Sequence, residues 1–222
     1  MITLTKANGE VFNSIKWLIA AMPAKSKQRS AKDMHYMDLN YIKRVTLGSE
    51  TFYMASDGRR LHAVNVDMLG DLLTAEYYSV ADRTAQVITL VDPDNSTDIH
   101  WPTIDKALFD PRCYLTTAEA DFHLTVEHLT YWLNRGDIAE DVNRVTWSHS
   151  MIETALGIDV GDWKLGWNRG QRNENNKALL LVGRYSNITR ARMALVMPIQ
   201  LPNVLPIRTI SHMHGDAIAH ID

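Results

Sequence analysis

Few residue patterns in this 222-residue chain have the spacing that chemistry needs. Asp92, Asp94, Ser96 and Asp98 offer the alternating oxygens that open a calcium loop. Thr97 stands where such a loop requires glycine for its sharp turn, however, and Thr103 where a bidentate glutamate would close it. His212, His214 and His220 could meet a metal ion, yet no cysteine or carboxylate framework accompanies them, so no metal site is assigned. The single cysteine, Cys113, fits a structural thiol better than a nucleophile. No phosphate-binding glycine loop, nucleophile elbow or HExxH motif is present. The chain is therefore expected to be no enzyme, with no catalytic residue and no cofactor.

Two patterns suit binding instead. Lys25, Lys27, Arg29 and Lys32 place four positive charges within eight residues, and Lys6 and Lys16 lie close by in sequence. Such a cluster is either a solvated basic loop or a surface that meets phosphates without reading bases. The second pattern is Phe52-Tyr-Met-Ala-Ser-Asp-Gly-Arg-Arg-Leu-His-Ala-Val64, together with Ala194-Leu-Val-Met-Pro-Ile-Gln-Leu201. In the first segment Phe52 and Met54 alternate with Tyr53 and Ala55, and Leu61 and Ala63 with His62 and Val64. Asp57-Gly58 between them supplies the positive φ of a tight hairpin turn. The second segment is an apolar strand halted by Pro198.

These segments need elements to hold them. Ile2–Thr5 reads as a strand and Asn8–Met22 as an amphipathic helix, with Val11, Ile15, Leu18, Ile19 and Met22 on one face and Pro23 beyond it. Asn8 is the expected N-cap, with Glu10 in the first turn. Strands are predicted at about Met34–Thr46 and in the hairpin. Tyr77–Val91 is mixed and could hold a short helix and a strand; the pattern does not decide. In the second half the expectation is a strand at Asp121–Thr125, a helix from Thr125 to Arg135, and strands at Asn143–Ser150 and Trp163–Trp167. A final hairpin over Lys177–Val182 and Ile188–Met197 completes it. Each half is thus a strand, a helix and several antiparallel strands, an internal structural repeat of α+β class.

Bulk properties narrow the setting. At 45% hydrophobic and 22% charged residues the composition is that of a soluble globular protein with one large domain or two of about 110 residues. No run approaches the ~18 apolar residues of a membrane span, and no signal-peptide core opens the chain, so no membrane is expected among its partners. A lone cysteine allows no internal disulfide and fits a reducing cytoplasm. The net charge of −3 leaves room for a basic surface without advertising one. The six tryptophans suit cores and interfaces better than base stacking.

The Ala55-Ser-Asp-Gly-Arg-Arg-Leu61 hairpin and the Val196-Met-Pro-Ile-Gln-Leu201 strand resemble two signature segments of the bacterial DNA polymerase III β subunit, the replicative sliding clamp. His100-Trp-Pro-Thr-Ile-Asp-Lys-Ala-Leu108 is similar to the segment that leads toward that family's last domain. Against the family pattern, Ser56 replaces threonine, Arg59 histidine and Gln200 arginine. The chain also runs 21 residues past the usual end at Leu201. The resemblance implies a DNA-clamp fold with two clamp-type domains, 1–111 like the middle domain and trimmed, 112–201 like the last, followed by an extension over 202–222.

It further implies a groove for short linear motifs of a DNA polymerase or other replication and repair proteins. Ser56, Gly58, Arg59, Arg60, Leu61, Pro102, Val196, Met197, Pro198 and Ile199 would line it. Lys6, Lys16, Lys25, Lys27, Arg29 and Lys32 would face double-stranded DNA. A ring of six domains would need three copies of such a chain, a homo-oligomer acting as a processivity factor. The other reading is a clamp-derived regulator or decoy that does not encircle DNA. The apolar Leu201–Ile207 stretch either folds back over the groove or packs elsewhere. In every case the hairpin and the Leu195–Leu201 strand should lie side by side.

Overall fold

Phe52, Met54, Leu61 and Ala63 face one side of a sheet and Tyr53, Ala55, His62 and Val64 the other, as their alternation requires. The computed structural model describes residues 1–23, 39–93, 99–104, 109, 114–116, 148–158, 162–168 and 178–197. Strands β1 (Ile2–Thr5), β2 (Tyr41–Leu47), β3 (Glu50–Ser56), β4 (Arg60–Asn65), β5 (Tyr77–Arg83) and β6 (Val87–Val91) come from the first half. Strands β7 (Tyr114–Thr116), β8 (Asp162–Asn168), β9 (Leu179–Tyr185) and β10 (Ile188–Val196) come from the second. Helices α1 (Gly9–Ile19) and α2 (His149–Leu156) both pack on the same side of the sheet. All ten strands join one antiparallel sheet in the order β1-β6-β5-β2-β3-β4-β10-β9-β8-β7. The class is α+β.

The seam of the sheet is β4 against β10, with Arg60 opposite Val196, Leu61 opposite Leu195 and His62 opposite Ala194. This seam joins strands from either side of the expected division at residue 111. One sheet runs across it, and the helix-side core draws Leu4, Phe12, Ile15 and Leu18 from the first half together with Ile152, Ala155, Trp163 and Leu181 from the second. The two halves therefore share one core. Each fully buried aliphatic or phenyl side chain contributes about 2 kcal/mol, so this shared layer binds the halves strongly.

Local chemistry explains most of the elements. In α1 the buried residues Phe12, Ile15, Trp17, Leu18 and Ile19 form one stripe, while Asn13 and Lys16 face out. Glu10 in its first turn and Lys16 in its last both oppose the helix dipole. Asn8 does not cap with its side chain; its Oδ1 accepts from the Thr5 amide at 2.8 Å.

Three expectations change. Tyr77–Val91 is a two-strand hairpin, β5–β6, with no helix. His149 and Ser150, expected at the end of a strand, begin α2, because Ile152 and Ala155 behind Ser148 bury one helical face. The short strand β7 had no periodic signal. The expected strand and helix over 121–135 lie outside the described residues.

Candidate interaction face

Strands β3, β4 and β10 are buried on both sides, so two apolar layers meet the sheet. The helix side carries polar groups within its core. His62 is fully buried and stacks on the Trp17 indole, with ring centres 4.1 Å apart and planes 17° from parallel. Its Nδ1 lies 2.7 Å from the Trp17 carbonyl, so the proton sits on Nδ1, which donates, and Nε2 has no partner. Burial first, and the nearby Arg60 cation second, push its pKa down to about 3, against the hydrogen bond to Trp17. The Trp17 indole N–H donates to the Ala155 carbonyl at 2.9 Å, tying α1 to the end of α2.

Arg192 is likewise fully buried. Its Nη2 donates to Ser14 Oγ at 2.8 Å and pairs with Glu10, while Nε and Nη1 have no partner. Burial lowers its pKa to about 10, which leaves it charged at neutral pH. Neither residue was singled out from the sequence. Their partners lie far along the chain, and no periodic signal joins Arg192 to Glu10.

The opposite side is mainly apolar, with the half-buried Arg190 at its edge, paired with Glu50 at 2.7 Å and donating to the Phe109 carbonyl at 3.3 Å. Phe52, Met54, Leu61, Ala63, Leu180, Met193 and Leu195 form its floor, with Tyr41, Val45 and Met197 packed at the margin. Trp101 and Phe109 lie over it, 8% and 3% exposed, flanked by Ile99 and Ile104. The Trp101 indole N–H donates to the Tyr41 carbonyl at 2.9 Å. Lys43 Nζ stands 5.2 Å from the Tyr77 ring centre and 5.9 Å from that of Trp101.

The hairpin turn closes one end of this face. Gly58 takes φ +83°, which only glycine adopts without strain. Asp57 Oδ1 accepts from the Arg59 and Arg60 amides, and its Oδ2 pairs with Arg60 Nε at 3.2 Å. Ser56 Oγ donates to the Arg60 carbonyl and accepts from the Gly58 amide. The Met197 amide donates to the Arg59 carbonyl at 2.8 Å, so the hairpin and the end of β10 lie side by side.

The sequence-predicted groove residues thus divide. Leu61 and Met197 belong to the apolar face, and Pro102 adjoins Trp101 at its cover. Val196 turns the other way, into the helix-side core, because strand alternation opposes it to Leu195 and Met197. Ser56 and Arg60 are engaged in the turn, and Gly58 and Arg59 are exposed beside it. Pro198 and Ile199 lie outside the described residues. So do Lys25, Lys27, Arg29, Lys32, Cys113, Asp94, Ser96, Asp98, His212, His214 and His220. Lys6 and Lys16 are exposed, Lys16 on the solvent side of α1. Tyr41, Trp101 and Ile104 were missed as lining residues; the Trp101-Pro102 pair was the available signal.

The fold defines an α+β protein with an apolar layer beside the β4–β10 seam. Among the described residues no group of three or more His, Cys, Asp or Glu could hold a metal, and no helix is long and apolar enough to cross a membrane. Solved structures similar to the chain are bacterial DNA polymerase sliding clamps. That from Bacillus subtilis is 12% identical with a TM-score of 0.43, and the match covers 90% of this chain and 64% of that one. That from Pseudomonas aeruginosa is 13% identical with a TM-score of 0.42, covering 90% and 66%. The DNA polymerase III β chain from Streptococcus pneumoniae is 9% identical with a TM-score of 0.40, covering 90% and 64%. The chain therefore spans less than two thirds of the length of the Bacillus clamp. No protein-family model and no curated protein matches it.

Proposed function

We propose that this protein is a clamp-like, non-catalytic binding scaffold that takes short linear motifs of replication or repair proteins on the apolar face beside the Asp57-Gly58 hairpin. The observation that carries the reading is the meeting of Leu61 and Met197, which are 136 residues apart in sequence, in one apolar cluster at the β4–β10 seam. Apolar floors with a few fixed polar neighbours suit extended peptides, and the methionine thioethers of Met54, Met193 and Met197 adapt to varied side chains. Exposed Lys6 and Lys16 on the helix side would meet DNA phosphates without reading sequence.

The test has two arms on the full-length protein: binding of a fluorescent clamp-motif peptide, and retention on nicked circular DNA that is lost on linearisation. Peptide binding with topological retention is the expected result. Absence of both overturns the reading. A second reading is a clamp-derived regulator that does not encircle DNA; in its support, both buried layers draw residues from both halves of the chain. Peptide binding without retention, with a solution mass equal to one chain, would select it.

A further inference from the structure

The apolar face has an occupant. Residues 99–104 belong to no strand, yet Trp101 is nearly as buried as the floor beneath it, with Ile99 and Ile104 packed on either side. Here the chain lies on the face as a bound peptide would, with apolar side chains inserted and an indole N–H fastened to the Tyr41 carbonyl. We propose that this segment, a strap across the face, is a built-in competitor, and that a partner peptide binds by displacing Trp101. This inference rests on the reading of the face as a peptide site.

The chemistry of the displacing peptide follows from the face and its rim. The floor of Met54, Leu61, Met193 and Leu195 accepts bulky aromatic and aliphatic anchors. Lys43 stands at the margin against the Trp101 and Tyr77 rings, and exposed Arg59 lies at the hairpin end. The partner is therefore an extended segment with one aromatic anchor, a second apolar anchor and an acidic flank. Displacement is feasible because apolar contact is non-directional: an incoming aromatic ring restores the burial that the departing indole gives up.

A self-occupied site binds more weakly in proportion to the fraction of molecules in which it is open. The probe is a fluorescein-labelled peptide copying residues 99–109, added in trans to the full-length protein. The variants are Trp101→Ala, which empties the subsite, and Trp101→Phe, which keeps the ring and removes the bond to Tyr41. The expected affinities rise from wild type through Trp101→Phe to Trp101→Ala, the last by about tenfold or more. Equal affinity for all three, or no binding to any, overturns the proposal. If Trp101→Ala fails to fold, Trp101→Phe against wild type decides the matter. The clamp-motif peptide keeps the two claims separate. Its failure to bind any variant, with the strap peptide still ranked as expected, would sink the clamp reading alone. Its equal binding to wild type and both variants, with the strap peptide unranked, would sink displacement alone.

Discussion

The two sides of the sheet are buried to similar depth by unlike means. The helix side places a histidine and an arginine inside its core, each bonded to particular atoms of α1. The other side is covered by Trp101 and Phe109 over aliphatic and thioether side chains, with polar bonds only at its edge, from Trp101 to Tyr41 and from half-buried Arg190 to the Phe109 carbonyl. Directional bonds fix one arrangement, because any shift leaves a buried polar group unpaired. Apolar contact tolerates exchange of one side chain for another of similar volume. The contrast sets a helix layer fixed by buried polar bonds against a covering segment held mainly by apolar contact.

The largest effect should come from Glu10→Ala. It strips the fully buried Arg192 of its charge partner and should lower unfolding stability in urea by about 4 kcal/mol. The double variant with Arg192→Met should recover most of that loss. A cost below about 1 kcal/mol for the single variant would erase the distinction between the two sides.

Next comes acid. His62 folds neutral, with its pKa pushed down to about 3 from an ordinary value near 6.5. Between these values the unfolded chain binds a proton that the folded chain refuses. The stabilisation is complete above pH about 6.5 and falls by up to roughly 1.4 kcal/mol per pH unit below it. Thermal or urea unfolding at pH 7 and pH 4.5 should therefore differ by about 3 kcal/mol from this group. His62→Leu should flatten that part of the slope, and an unchanged slope would remove His62 from the account.

On the strap side the effects should be smaller. Trp101→Phe loses one hydrogen bond and should cost about 1 kcal/mol by urea titration. Met197→Ala, at the half-buried margin, should change stability by only about 0.5 kcal/mol while weakening binding of the clamp-motif peptide. A loss for Met197→Ala as large as that for Glu10→Ala would mean that the strap side is as rigid as the helix side.

What could be read from the residues alone follows the same divide. The alternation from Phe52 to Val64 correctly assigned each side chain to a side of the sheet, and the stripe from Val11 to Ile19 located α1. Both are local periodicities of strand and helix. The start of α2 was misread because Val145, Thr146 and Trp147 favour strands, while its helical signal is only Ile152 and Ala155 behind Ser148. The pairing of β4 with β10 has no periodic signature; it came from the likeness of two short segments to one family. That same likeness placed Val196 in the groove, where simple alternation with Leu195 sends it to the opposite core. Arg192 and Glu10 are 182 residues apart, a separation that no local pattern bridges.

The position of β10 in the sheet has a consequence for how the protein is made. The strand that joins the halves is the last one described along the chain, pairing residues 192–196 with residues 60–64. During synthesis the first half must wait for residues 192–196 to emerge before the open edge of β4 is covered. An uncovered central strand, apolar on both faces, is a template for pairing with other nascent chains. Closing so distant a contact is also slow, since the entropy of a long loop is lost before the pairing repays it. Yield in cells should therefore depend on translation speed and on chaperones that shelter strand edges.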